Sequence, residues 1–445
     1  MNKLPISHRS ALPTLRFQRK VKLFTLCILL FSSCMKEQED FFEQSASERM
    51  QGTLDKVRSI LRNSQYGWEL EYYPSSTLDY GGIVYTVRFD SLKATVGCSL
   101  IPDSTETTFY RLTNDSGPVL SFDTYNPLLH YFSTPSSGEY EAKGGEFEFV
   151  ISDIKEDIIT LYGKKTRNSM YLRKLTGSPD EYAQKTIEIY DNFISSFEGT
   201  IGTAEVKGQC KLNNKSIELI SDGDTTTLHF TYNDRGIRLY SPLNLGGQTV
   251  QTFAFNKDTY QLSCLDAGSE HVVLQGEPFG DDILPFKDFE GNYNMRYNNN
   301  QSTVQISLVP SRIDGTYRLR GLSREYEVIL NYDYTNGHLT LGPQVVGDIN
   351  GRTVYLCTYG TSEDGGIFIT EDATLTIAWN GNRFYPSYNF SATFPNTYPV
   401  DSLVLVMIYT NADGNLTAAL VEEGSWLIGN RPTINNITSL VRVRA

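Results

Sequence analysis

Chemistry in a protein begins with groups that can hold a metal, move a proton or attack a carbonyl, and in this 445-residue chain such groups are scattered. Beyond residue 33 the histidines are His130, His229, His271 and His338, each alone. With no H-E-x-x-H and no pair at helical spacing, no metal centre is predicted. His229 sits between Leu228 and Phe230 in an alternating run and reads as an outward sheet residue. No G-x-S-x-G, P-loop or G-x-G-x-x-G is present. "SDGDTTT" (221–227) and "NADGNLT" (411–417) have the carboxylates and glycine of calcium loops without their full spacing, and read as hairpin turns. Cys98, Cys210, Cys264 and Cys357 lie far apart without a C-x-x-C, so neither a zinc site nor a dense disulfide scaffold is expected. Paired carboxylates of a glycosidase leave no local pattern, which keeps a hydrolase open as a second reading with no nameable residues. No catalytic residue, metal or cofactor is assigned.

One cysteine does have a chemical context. Leu23–Phe31 is an apolar run preceded by Arg16, Arg19, Lys20 and Lys22. A membrane span needs roughly 20 apolar residues, so this segment reads as an export signal. Its end, Phe31-Ser32-Ser33-Cys34, resembles a bacterial lipobox, with Phe31 where Leu is usual, and marks Cys34 for lipidation. The competing reading is an ordinary signal peptide. Each buried acyl methylene contributes about 0.8 kcal/mol, so several chains on one cysteine anchor a soluble body to outer-membrane lipid. Met35-Lys36-Glu37-Gln38-Glu39-Asp40 resembles the export tag of surface lipoproteins in Bacteroides-type bacteria and points the protein toward the cell surface; a solvated linker is the alternative.

Binding surfaces are the better prospect for function. "WNGNRFYPSYNFSATFPNTYP" gathers Trp379, Phe384, Tyr385, Tyr388 and Tyr398 among asparagines and prolines. Exposed aromatic faces beside amides that donate and accept suit sugar or peptide recognition. "GWELEYYPSSTLDYGG" offers a second group, Trp68, Tyr72, Tyr73 and Tyr80. For both, the competing reading is a core role.

The elements that must position these residues are mainly β. Ser45-Ala46-Ser47-Glu48 is a capping box followed by a stripe of Met50, Leu54, Val57 and Leu61, and Ser178-Pro179-Asp180-Glu181 opens a second helix. Elsewhere the pattern alternates, as in Ile83, Tyr85, Val87, Phe89 and in Val304, Ile306, Leu308, which predicts half-buried antiparallel strands. Asn336-Gly337 between two β-rich runs predicts a tight hairpin. The expected organisation is a signal peptide (1–33), an acidic linker (34–46), a helix plus β domain (47–176), a second helix plus β domain (177–284) and a C-terminal β domain (285–445). The β blocks are antiparallel barrels or sandwiches, and "FEG" at 197–199 and 289–291 hints at a repeat.

Removing residues 1–33, which carry six basic and no acidic side chains, takes the formal net charge from −13 to −19. Such a surface argues against nucleic acid as a partner. "GWELEYYP", "YGGIVYTVRFD", "PVLSFDTYNPLLHYFSTP", "GGEFEFVI", "LYGKK", "FEGNYNMRY" and "LTLGPQVVG" together resemble a family of Bacteroides-type lipoproteins called domain of unknown function 4302. The resemblance implies an accessory of nutrient uptake, encoded beside a TonB-dependent receptor and its SusD-like partner, and carries no established activity. Within it, Asp123, Asn126 and His130 form a polar group that reads as a turn cap rather than a catalytic site. The leading expectation is a non-enzymatic surface lipoprotein that binds a glycan or peptide nutrient or supports a neighbouring receptor. A hydrolase and a structural adhesin or assembly subunit are the alternatives.

Overall fold

The computed structural model describes residues 45–443, with breaks at 100, 116, 136–141, 282, 312–314, 324–325, 362–366, 370–373, 380–386, 394–399 and 422–431. The leader, Cys34 and the acidic segment after it lie outside the described residues.

Helix α1 (Ala46–Arg62) starts on the capping box: the Glu48 N–H donates to Ser45 Oγ at 3.2 Å, and the Ser45 N–H donates back to the Glu48 carboxylate at 2.9 Å. From its apolar stripe Leu54, Val57 and Leu61 are buried against the first β domain. That domain is a closed eight-stranded antiparallel barrel, from β1 (Trp68–Tyr72) to β8 (Ser169–Lys174), with β1 pairing both β8 and β2 (Ile83–Phe89). Closure leaves no free edge. Helix α2 (Pro179–Asp191) follows, its N-terminus capped by Ser178 and its first position taken by proline.

A second closed barrel runs from β9 (Ser196–Ile201) to β16 (Val273–Glu277) and is sealed by the β9–β16 pairing. The third barrel opens with β17 (Gly291–Tyr297) and closes on β30 (Ser439–Arg442). Its wall is interrupted after β21 (His338–Leu341), where the chain leaves to build a separate sheet from β22 (Gln344–Ile349) and β23 (Arg352–Thr361), then returns at β25 (Thr374–Trp379). The two "FEG" tripeptides occupy equivalent places. Phe197 and Phe289 are both buried where the first strand of a barrel begins, and Gly199 and Gly291 follow them at φ +159° and +148°. The fold is mainly β, built of antiparallel barrels with two helices.

The barrels meet in two physically different ways. Barrels two and three share one continuous apolar core, bridged by Tyr190, Phe286 and Tyr334. Barrels one and two are joined by polar groups that leave the walls of each. Glu71, fully buried, accepts hydrogen bonds from Arg173 at 2.7 Å and from Arg238 of the second barrel, while Glu69 lies 3.7 Å from the same Arg238 guanidinium. Around this cluster the Gly82 N–H donates to Phe230 O at 2.9 Å, Lys215 Nζ to Tyr80 O at 2.9 Å, and the Ser169 N–H to the Tyr240 hydroxyl at 3.1 Å.

Candidate functional site

An open cleft of about 810 Å³ lies where all three barrels meet. Its walls are Asp79 and Tyr80 from the first barrel, residues 209–214 from the second, and Asn331, Asp333, Tyr334 and Thr335 from the third, with Phe279 and Ile283 from the segment joining the last two. Ligand pockets fall in this size range and favour junctions between domains. The lining chemistry is aromatic and neutral-polar: Tyr80, Phe279 and Tyr334 beside Gln209, Asn213, Asn214, Asn331 and Thr335. Its carboxylates already have partners. Asp79 accepts from the hydroxyls of Ser75 and Thr77, both at 2.6 Å, and these bonds hold its carboxyl below the usual range. Asp333 caps its own turn through the Thr335 N–H, and Glu218 faces Lys211 at 3.6 Å. The Cys210 thiol at the edge is pushed up to about 12 by burial, so it presents no thiolate.

Behind the cleft lies a narrower pocket of about 180 Å³ that shares Gly315 with it. Apolar side chains dominate here, Ile83, Val84, Ile187, Tyr190 and Phe286 among them, and one carboxyl faces in from the last turn of α2. Burial raises Asp191 to about 6, against the opposing pull of Lys287 Nζ at 3.9 Å and with Asp288 and Glu290 adding to the rise. Phe279, Ile283 and Tyr334 line both the cleft and a third hollow that also touches Tyr190, Asp191 and Phe286. The Tyr190 and Tyr334 hydroxyls are hydrogen-bonded to each other on that path.

The aromatic residues picked out by sequence fare differently. Trp68 and Tyr72 are both 0% exposed: the strand alternation turns Trp68, Leu70 and Tyr72 into the first barrel, so neither can offer a face to a ligand. The Trp68 indole donates to Leu61 O at 2.9 Å, and the Tyr72 hydroxyl bonds the backbone of Glu146. Tyr80 alone of that group reaches the cleft. Trp379 is half-buried against the third-barrel core. Strand β26 (Ser387–Thr393) brings Tyr388 into register opposite it, and Phe384 and Tyr385 lie outside the described residues.

The polar group at 123–130 is a built turn. Asn126 Oδ1 accepts from the N–H groups of Leu128 at 2.9 Å and Leu129 at 3.2 Å, and His130 Nδ1 accepts the Asn126 N–H at 3.1 Å. His229 is half-buried beside Asp79, and burial holds its pKa down. Among the described residues no group of three or more His, Cys, Asp or Glu side chains is arranged to hold a metal ion. Asp222-Gly223 and the 411–415 segment are turns, the first closing a two-residue hairpin between Ser221 and Asp224. The cleft residues that sequence reasoning missed, Phe279, Ile283 and Tyr334, sit in connecting segments. Phe279 and Ile283 have one legible sign, the aromatic-rich "PFGDDILPF" between two β blocks, and Tyr334 falls in the turn that Asn336-Gly337 marks.

Comparison with known families divides the chain near the end of the second barrel. Residues 265–406 match a second domain of unknown function, DUF4987, so "FEGNYNMRY" and "LTLGPQVVG" belong to that match rather than to the first family as the sequence resemblance had it. No curated protein matches the chain. Over residues 38–257, which hold the first barrel and most of the second, the chain belongs to the family described as a domain of unknown function, DUF4302.

Proposed function

We propose that this protein is a non-enzymatic binding protein, lipid-anchored through Cys34 at the outer-membrane surface, that holds a glycan segment in the three-barrel cleft and hands it to, or holds it near, a TonB-dependent receptor and its SusD-like partner. The observation that carries the reading is the cleft itself, wide and open, with the half-buried rings of Tyr80 and Phe279 beside the amides of Asn213, Asn214 and Asn331. Sugar rings present apolar faces and a rim of hydroxyls that both donate and accept, which this lining matches group for group. A peptide is the competing ligand for the same walls.

The test is calorimetry and affinity electrophoresis of the full chain in detergent against neutral polysaccharides and peptides, with Phe279→Ala and Asn331→Ala alongside. Glycan binding weakened about tenfold by either substitution is expected, the loss of more than about 1 kcal/mol typical of a central contact. Binding that neither variant changes refutes the cleft, and binding of peptides alone refutes the ligand class. Co-purification of the receptor from membranes tests the partner.

A second reading, a glycosidase, has one observation in its favour: Asp191 and Glu290 line the same narrow pocket, and a carboxyl raised to about 6 is suited to general-acid work. Against it stands a space of about 180 Å³ with mostly apolar walls, too tight for a sugar and an attacking water. Turnover of any polysaccharide that disappears in Asp191→Asn would overturn the binding-protein reading.

A further inference from the structure

On the first barrel, two rings lie open to solvent and two half-buried rings continue from them. Phe109 is 45% exposed and Tyr125 63%. They are linked by the turn that follows β5 (Pro118–Phe122), since the Phe109 N–H donates to Thr124 Oγ1 at 3.0 Å. From Tyr125 the run continues to His130, ring centroids 5.7 Å apart, and from His130 to Phe147 at 5.3 Å. A cation sits at each end: Lys93 Nζ lies 5.0 Å from the Phe109 centroid, and Lys165 Nζ 6.0 Å from that of Phe147.

Among the described residues, the carboxylates that flank the strip already have partners. Asp90 accepts the backbone N–H groups of Leu92 and Lys93, Asp123 pairs with Arg111 at 2.8 Å, Glu146 accepts the backbone N–H groups of Lys165 and Thr166, and Glu148 pairs with Lys164 at 3.1 Å. Lys93 feels the Asp90 carboxylate, yet among the described residues neither the Lys93 nor the Lys165 ammonium is held in an ion pair. In a chain with 52 acidic and 39 basic side chains, two such cations bracketing an aromatic run suit an anionic partner.

We propose that this strip binds an acidic polysaccharide, its rings packing against sugar faces while Lys93 and Lys165 pair with carboxylates that recur along the polymer. An aromatic face binds a ring whatever its charge, so the rings supply contact and the lysines supply selection for uronates over neutral sugars. A bilayer surface is the rival occupant of any exposed aromatic and lysine patch. Here the charged Asp123–Arg111 pair stands beside Phe109 and Thr124, which a polymer can straddle and a lipid surface would have to desolvate. The site is separate from the cleft, shares no residue with it, and stands whether or not the cleft reading holds.

The experiment is native electrophoresis of the full chain in detergent through gels containing polygalacturonate, with neutral galactan gels and anionic phosphatidylglycerol vesicles as parallel arms. Phe279→Ala serves as the cleft control. Polygalacturonate should retard the protein with a dependence on salt, and Tyr125→Ala should weaken that binding about tenfold. Lys93→Gln combined with Lys165→Gln should abolish the preference for polygalacturonate over galactan, read in the Phe279→Ala background so that the cleft does not contribute. Melting curves of the strip variants should overlay that of the parent, since the substituted side chains are exposed. In the Phe279→Ala background, absence of retardation by polygalacturonate, retardation unchanged in the strip variants, equal retardation by galactan, or binding of the vesicles in place of the polymer overturns the proposal.

Discussion

Replacing Arg238 by methionine tests whether the charge cluster between the first two barrels is what fastens them. Arg238 is one of two guanidinium groups on Glu71, a carboxylate with 1% of its side chain exposed, and it lies 3.7 Å from Glu69, itself 9% exposed. Methionine keeps the length and apolar stem and removes the charge. Glu71 retains Arg173 at 2.7 Å, but Glu69 loses the ion pair that offsets its burial. A pair at that separation interacts by about 4 kcal/mol at an effective dielectric of 20. That agrees with the roughly 3–5 kcal/mol seen when one partner of a buried pair is removed.

For a barrel array of roughly 390 residues, at about 2.1 cal/mol/K per residue, each kcal/mol moves Tm by about 1 °C, so a fall of roughly 3–5 °C is expected at pH 8, read by far-ultraviolet circular dichroism. The pH dependence has a defined sign. Burial raises the folded-state pKa of Glu69, so the native state holds a proton that the unfolded state has released, and stability falls as pH rises above the ordinary glutamate range. Without Arg238 that rise is larger. The variant should therefore recover part of its deficit as pH falls toward the ordinary glutamate range. A variant that melts with the parent at pH 8, or whose deficit grows as pH falls, refutes the argument.

Asp191→Asn should stabilise the protein above pH 6 and leave it unchanged near pH 4, because a carboxyl raised to about 6 withholds stability once it ionises; urea titrations at the two pH values check this. Gly82→Ala should cost about 1–3 kcal/mol in the same titration, since an added Cβ would stand 2.4 Å from Thr231 Cβ where the first barrel meets the second.

The fold class was legible because strand alternation and caps are local. Ile83, Tyr85, Val87 and Phe89 do point into a barrel, and Ser45 and Ser178 do cap their helices. What the pattern concealed was the second face. Val84 and Thr86, between the inward residues of β2, are buried as well, Val84 by packing with Leu175 and Tyr182. Glu69 and Glu71 alternate with Trp68, Leu70 and Tyr72 as solvated residues would, yet their partner Arg238 lies more than 160 positions away. Asn336-Gly337 is subtler. Asp333 pairs with His338, so the turn spans four residues rather than two; only Gly337 takes the left-handed conformation, at φ +69°, and Asp333 caps the Thr335 N–H. The candidate site was illegible for the same reason as the charge cluster. Tyr80, Asn214, Phe279 and Asn331 have no spacing in common and are gathered only by the way three closed barrels abut.

That gathering bears on what the two family matches can mean. The DUF4302 match ends at residue 257, before β15 (Gln261–Cys264) and β16, yet β16 pairs with β9 to close the second barrel. The matched stretch thus lacks two of the eight strands that its own second barrel requires. The cleft divides in the same place: Tyr80, Asn213 and Asn214 fall inside the first match, and Phe279, Asn331 and Tyr334 inside the second. Barrels two and three moreover share one apolar core, so cutting between the matches would expose Phe286 and Tyr332 together with the open edges of β9 and β14 (Gln248–Asn256). A barrel edge stripped of its neighbour and a core stripped of its cover both favour aggregation over folding. The physical unit is therefore the barrel array rather than either match. Of the two binding surfaces, the aromatic strip lies wholly within residues 93–165 and could accompany the first family alone, whereas the cleft requires a chain in which both occur.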